Sequence, residues 1–427
     1  MARGEPLYQV GGVDTESIVL RGLWWFGGVS GHTRGVDGRL ARRAGADEPV
    51  NVFARARERA GAVLDLSDSN PTRHGLTHPR LVEVLAAALD QVSGYEPDPR
   101  GPVAAREALA GRYGGTPDDY WLASSTSLAY TWLLTVTCDP GDAVAVPVPG
   151  YPLVEPLARF AGVRTVGYPL FYVHPHGWSV DTDALADVLA APDVRAVVVV
   201  SPGNPTGAYV EPTTAHLVAD LCARHQVTLI ADEVFAPFWL DRGSPAPSLA
   251  DVADDVTVAV LDGLSKSLAA PQLKAAWLRL SGADEVFAQA LDAVADAYLS
   301  VSAPVACALP NLLGLVDDQV PRVRARLAAN LATARAVLAA PCRVRRTDGG
   351  WSVLVDVPRT RDDDTLATHV LHAGLCAHPG WLYDLPDPAT LSLSLLLDPD
   401  QFADGCRRLR AVVVVRALPA CVSTVMG

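Results

Sequence analysis

Methionine occurs only twice in 427 residues, aromatic residues make up 7% of the chain, and charged residues no more than 19%. Seven cysteines (Cys138, Cys222, Cys307, Cys342, Cys376, Cys406 and Cys421) are odd in number and scattered, with no CxxC pair. That pattern fits neither a disulfide framework nor a zinc cage, and it reads as small core residues in a reducing compartment. His174 and His176 of HPHG lie in a Pro/Gly turn without adjacent carboxylate or thiol ligands, so no metal site is expected. No Lys/Arg run exists, and 35 basic against 48 acidic residues leave a formal charge of -13. A nucleic-acid partner, whose affinity comes from clustered cations, is therefore not expected. No apolar run approaches the roughly 20 residues of a membrane span, and MARGEPLYQVGG has no apolar leader segment. These absences predict a soluble, cytoplasmic protein with no membrane partner.

What is present is apolar and regularly punctuated. Hydrophobic residues make up 49% of the chain, and 34 glycines and 33 prolines interrupt it without clustering. Such a composition excludes disorder for most of the length. The runs AVAVPV (143–148), VRAVVVVS (194–201), VTLIAD (227–232) and VTVAVL (256–261) have the continuous β-branched character of strands buried on both faces. Between them, LVEPLARFAG (153–162) and TTAHLVADLCARH (213–225) carry apolar residues at three- and four-residue spacing, as helices do. This alternation predicts an α/β fold, a three-layer α/β/α large domain with a mostly parallel sheet over 76–315. A smaller α+β domain is expected from 51–75 and 316–427. It would contain the helical stretch PRVRARLAANLATARAVLAA, the strands in GGWSVLVDVP and TLSLSLLLDP, and a closing helix around 400–410. Residues 1–50 form an N-terminal extension in which Trp24, Trp25 and Phe26 suggest an arm on a partner, a lid, or an anchored surface segment.

Three polar residues follow predicted strand ends. Asn204 lies in SPGNPTG, Asp232 closes VTLIAD, and Lys266 follows VTVAVL in GLSKSLAAPQLK. Singly, each has a plain reading: an Asx-turn residue, a helix cap and a surface cation. Together, at the carboxyl ends where parallel sheets bind ligands, they form another pattern. A desolvated lysine can form a Schiff base, a buried acid can hold a ring nitrogen protonated, and an amide can donate to a ring hydroxyl. That is the donor set of a pyridoxal phosphate site.

With these residues in place, the chain resembles the fold-type I pyridoxal phosphate enzymes, and within them the class I/II aminotransferases, over roughly residues 50–412. The motifs are DLSDSNPTRHGL, YEPDPRGPVAAREALAGRYG, LASSTSLAY, CDPGDAVAVPVPGYP, SPGNPTG, ADEVF and GLSKSLAAPQLK, in that order. The resemblance implies pyridoxal 5'-phosphate as cofactor, with Lys266 as its Schiff-base lysine and Asp232 as partner of the ring nitrogen. It gives Asn204 the ring hydroxyl and Tyr151 the stacking face. Ser125, Thr126 and Ser127 would occupy the phosphate turn at a helix start. Lys274 stands where an arginine usually meets the phosphate, and Tyr95 matches a tyrosine that reaches a neighbouring subunit. A homodimer with shared active sites follows from that last match.

Three departures bear on the reaction. Phe235 replaces a tyrosine that donates to the ring hydroxyl, and Gly263 replaces a phosphate-binding serine. Ser392 stands where a carboxylate-binding arginine is usual. Arg73, beside Asn70 in SNPTRHGL, is the first candidate to replace that arginine at the substrate; otherwise the substrate is not an ordinary α-amino acid. The expected function is an aminotransferase acting on a small-molecule amino acid or related amine. The alternatives are a lyase or γ-elimination/replacement enzyme, for example on S-adenosylmethionine, and a non-catalytic sensor domain, for which residues 1–50 are too short and glycine-rich to supply a DNA-binding segment.

Overall fold

The continuous apolar runs become strands whose order puts six carboxyl ends on one edge. In this computed structural model, residues 41–44, 52–252, 255–359, 363–387 and 389–414 are described. Trp24, Trp25 and Phe26 lie outside them. The strands in chain order are β1 (Leu64–Asp65), β2 (Tyr120–Ala123), β3 (Ala143–Val148), β4 (Arg164–Val173), β5 (Gly177–Val180), β6 (Val194–Val200), β7 (Thr228–Asp232), β8 (Val258–Gly263) and β9 (Ala276–Ser281). They continue with β10 (Arg343–Val344), β11 (Ser352–Asp356), β12 (Leu375–Cys376), β13 (His378–Pro379) and β14 (Thr390–Ser394).

The large sheet has the order β2-β9-β8-β7-β6-β3-β4-β5. Strands β4, β3, β6, β7 and β8 pair in parallel, while β9 is antiparallel to both β8 and β2. Two reversals cancel, so β2 runs in the same sense as β8. The central strands are buried along nearly their whole length, as expected for a sheet covered on both faces. One face packs Val197, Val199, Leu229 and Ala231 against Val218 and Cys222 of the helix Pro212–His225. The other packs Val144, Val146, Val198 and Ile230 against Tyr130, Leu133 and Leu134 of the helix Thr126–Thr137.

The smaller sheet has the order β10-β11-β14-β13 and is antiparallel. Alternation divides its residues. Val353, Val355, Leu391 and Leu393 face a core shared with Phe402, Cys406 and Leu409 of the closing helix Pro399–Val413. Leu354 faces the other way and packs with Trp178 and Ala208 of the large sheet's surroundings. Strand β1 pairs with β12, tying residues 64–65 to 375–376.

One element runs longer than its sequence suggests. The helix expected from about 316 begins at Ala303 and continues to Val337, through Pro310 and Pro321. Each proline removes a backbone hydrogen bond. Burial of Leu309, Leu312, Leu313 and Val316 in one core and of Val323, Leu327 and Leu331 in another outweighs that loss.

Candidate active site

The strand directions collect the sequence-predicted residues on one edge of the large sheet. Ala123, Val148, Val200, Asp232 and Gly263 are the last residues of β2, β3, β6, β7 and β8. Just beyond them come Ser125, Thr126 and Ser127, then Tyr151, Asn204, Phe235 and Lys266. The register is direct: Val200 pairs with Asp232, and Asp232 with Leu261. Ala276 of the reversed strand β9 pairs with both Ala123 and Gly263, so Lys274, two residues earlier, reaches the same edge.

Lys266 rides on a one-turn helix, Leu264–Ser267, directly after β8. Its Nζ lies 5.2 Å from the Phe235 ring centre and 5.0 Å from that of Trp351. Burial lowers the lysine to about 8, opposed by the attraction of Asp232. Asp232 is 7% exposed. Burial raises it to about 6, opposed by the Val234 backbone N–H, the Tyr130 hydroxyl and the charge of Lys266. Both carboxylate oxygens are held: Val234 N donates to Oδ1 at 3.2 Å, and Tyr130 Oη donates to Oδ2 at 3.1 Å. The carboxylate is therefore oriented by two donors from different elements before any ligand arrives.

The helix that carries Tyr130 starts at the serine-rich turn. Ser125 is its extended N-cap, with Oγ accepting from Leu128 N at 3.1 Å. Thr126 and Ser127 form the first turn, where backbone N–H groups lack helical acceptors and favour an anion. Lys274 is exposed, in a left-handed conformation after the turn Pro271–Leu273. Asn204 is half-buried in a tight loop tied by Gly203 N donating to Ala208 O at 2.8 Å. Tyr151 is half-buried and packs in the cluster of Phe53, Leu382 and Tyr383, and Gly150 N donates to Tyr383 O at 3.0 Å.

The glycine at 263 has a local cause. A Cβ there would lie 2.8 Å from Ala275 O and 3.0 Å from Ala276 Cα, because β9 passes close by. A serine at this position requires β9 to shift.

Other predicted residues sit differently. The Arg73 side chain is 70% exposed and pairs with Asp68 at 3.3 Å. Asn70 caps the turn Pro71–His74, its Oδ1 accepting from Thr72 N and Oγ1. Their loop is anchored by Leu66 and Leu76 in the core that also holds Phe235 and Trp351. The Tyr95 side chain points into solvent, 81% exposed. Ser392 is buried in β14, opposite Leu354 and His378. It hydrogen-bonds Tyr383, whose hydroxyl lies 2.8 Å from His378 Nδ1. Burial lowers the pKa of His378, so this network is neutral near pH 7. Around Ser392 the structure thus places hydroxyls and an imidazole.

Sequence reading missed Tyr130 and Trp351. Tyr130 stands in the quoted LASSTSLAY, one turn beyond Ser127, but only the sheet geometry brings it to Asp232. Trp351 follows Gly349 and Gly350 and directly precedes β11 of the smaller sheet. Gly349 is required there, since a Cβ would lie 2.6 Å from the Tyr209 ring and 2.7 Å from Phe238 O.

Residues 62–385 match the family of aminotransferases class I and II. The chain belongs to this family. Over 280 residues it is 31% identical to the alanine aminotransferase of Mycobacterium tuberculosis, covering 62% of this chain and 64% of that protein. It is 28% identical over 278 residues to the glutamate-pyruvate aminotransferase of Haemophilus influenzae, covering 62% and 67%. The matched stretch thus spans less than two thirds of the alanine aminotransferase. Among solved structures, the alanine aminotransferase of Pyrococcus furiosus superposes with a TM-score of 0.77 at 21% identity, covering 87% of this chain and 98% of that one. The Thermus thermophilus aspartate aminotransferase with maleate gives 0.77 at 24%, covering 89% and 100%. These likenesses establish the class I/II aminotransferase fold, an α/β fold of type I.

The residues present fit pyridoxal phosphate. A lysine with a lowered pKa stands beside a doubly held carboxylate, and the Trp351 Nε1–H nearby is buried with no acceptor among the described residues. Among the described residues no cluster suits a metal ion, and no helix is long and apolar enough to cross a membrane.

Proposed function

We propose that the protein is a pyridoxal 5'-phosphate-dependent aminotransferase that moves an amino group between a small-molecule amino acid or amine and a carbonyl acceptor. The observation that carries this reading is the Lys266–Asp232 pair at the edge where six like-directed strands end. When bound, the cofactor supplies an aldehyde carbon for an amine and a ring that accepts electrons from the substrate α-carbon. Lys266 provides the amine. Because burial brings it to about 8, a useful fraction is neutral near pH 7, so Nζ would be able to take and hold a proton from the substrate α-carbon. Asp232 holds a proton on the ring nitrogen, with Val234 N and Tyr130 Oη fixing its direction. Asn204 serves the ring hydroxyl, Tyr151 the ring face, and Ser125, Thr126, Ser127 and Lys274 the phosphate. Phe235 forms an apolar wall by the lysine.

In this reading the assembly is a cytoplasmic homodimer in which Tyr95 of each chain serves its neighbour's phosphate. The exposure of Tyr95 supports it. Arg73 and Asn70 border the substrate side; Arg73 would have to leave Asp68 to meet a carboxylate. The relatives' names favour amino transfer over elimination.

The test is a half-reaction. Addition of single amino acids, alanine and glutamate among them, to the cofactor-loaded protein is expected to convert the visible band to a shorter-wavelength one, with release of the keto acid. An unchanged band with every amino acid, or thioether release from S-adenosylmethionine, would count against transamination.

A further inference from the structure

Phe235 brings a ring to the lysine but no hydrogen-bond donor. The other ring against Lys266 does carry one. Trp351 is 2% exposed, and its indole is clamped between Phe235, at 5.5 Å and 67°, and Phe238, at 5.4 Å and 62°. Its backbone is fixed too, since Leu395 N donates to Trp351 O at 2.8 Å and Gly350 N to Phe238 O at 2.9 Å. Within this rigid seat the Nε1–H is buried and has no acceptor among the described residues. A buried donor left unpaired opposes folding, and most such groups in folded proteins find a partner. Trp132, Trp178 and Trp381 also have unpaired Nε1 atoms, but Trp132 and Trp178 pack in separate cores and Trp381 beside Tyr151. Of the four, Trp351 is the one whose ring lies against Lys266 Nζ.

In pyridoxal phosphate the ring oxygen is on the carbon next to the one bearing the aldehyde. Wherever the aldehyde carbon meets Lys266 Nζ, that oxygen lies beside the lysine nitrogen. We propose that Trp351 Nε1–H donates to this ring oxygen, supplying from the smaller domain the hydrogen bond that Phe235 cannot make. The assignment rests on the functional reading above. Its consequence has a definite sign. A donor on the oxygen stabilises its anionic form, so it favours loss of the proton shared with the lysine-derived nitrogen and lowers the pH midpoint of the visible absorbance.

The experiment compares Trp351→Phe and the double variant Trp351→Phe/Phe235→Tyr with the unmodified holoprotein, each checked for cooperative thermal unfolding. Two quantities are read without substrate: the pH midpoint of the visible band and the cofactor dissociation constant of the apoprotein. Trp351→Phe is expected to raise the midpoint and weaken cofactor binding by about tenfold, the order of one hydrogen bond to a charged acceptor. The double variant, which adds a phenol donor, is expected to bring the midpoint back. An unchanged midpoint and affinity in Trp351→Phe would overturn the proposal. So would a variant altered only in KM for carboxylated substrates, since the donor would then serve the substrate. If the unmodified protein loaded with cofactor shows no visible band, the functional reading itself falls, before any variant is compared.

Discussion

Burial of Asp232 favours its neutral form, and the Val234 backbone N–H, the Tyr130 hydroxyl and Lys266 oppose it. Burial raises its pKa to about 6, above the ordinary carboxylate range, so between those two values the folded protein binds more protons than the unfolded one. Stability contributed by this group is therefore greatest at low pH and is lost as pH rises through about 6. Asp232→Asn is expected to melt at a higher temperature than the unmodified apoprotein at pH 8, with the difference vanishing below about pH 4. Thermal unfolding at the two pH values checks the sign. Tyr130 works in the opposite direction, since its hydroxyl donates to the carboxylate. Tyr130→Phe should leave the fold intact and weaken cofactor binding about tenfold, measured by equilibrium dialysis, because it removes one hydrogen bond to a charged group. Asn204, Asp232 and Lys266 were legible in the sequence because each ends or follows a strand whose apolar run is unmistakable. Tyr130 and Trp351 were not, because a helix and the approach to β11 deliver them by tertiary packing.

Among the elements, the approach of β8 and β9 decides one family position. Sequence alone showed that Gly263 departs from a common serine but gave no reason. The reason is the 2.8 Å that would separate a Cβ from Ala275 O. Gly263→Ala is expected to destabilise the protein by about 1–3 kcal/mol, the usual range for overpacking, seen as a lower urea midpoint with an unchanged slope. The strands β3, β6, β7 and β8 could be read within a residue or two from their apolar runs, and the helix Pro212–His225 from its periodicity. The long helix could not. Its prolines at 310 and 321 look like punctuation, and only the two cores it crosses keep it continuous.

For the whole molecule, the alternation of strand-like and helical runs pointed to an α/β protein without resolving how its parts meet. The structure adds that the chain beside the smaller sheet brings Trp351 to the lysine and the Tyr383 backbone to the loop before Tyr151. The proposed dimer makes a further prediction. Tyr95 is 81% exposed and, in this reading, serves the partner's site. Mixing inactive Lys266→Ala with a weakened Tyr95→Ala variant, under conditions that allow subunit exchange, should restore activity above that of either alone. Each mixed dimer would hold one site with both residues intact. Activity no higher than the sum of the separate variants would argue against shared sites.

The central claim is that Lys266 carries the cofactor. Borohydride reduction of the pyridoxal phosphate-loaded protein, followed by peptide mass spectrometry, should place the reduced adduct on Lys266 alone and remove it in Lys266→Ala. An adduct on Lys274 instead, or none on either lysine, would contradict the account.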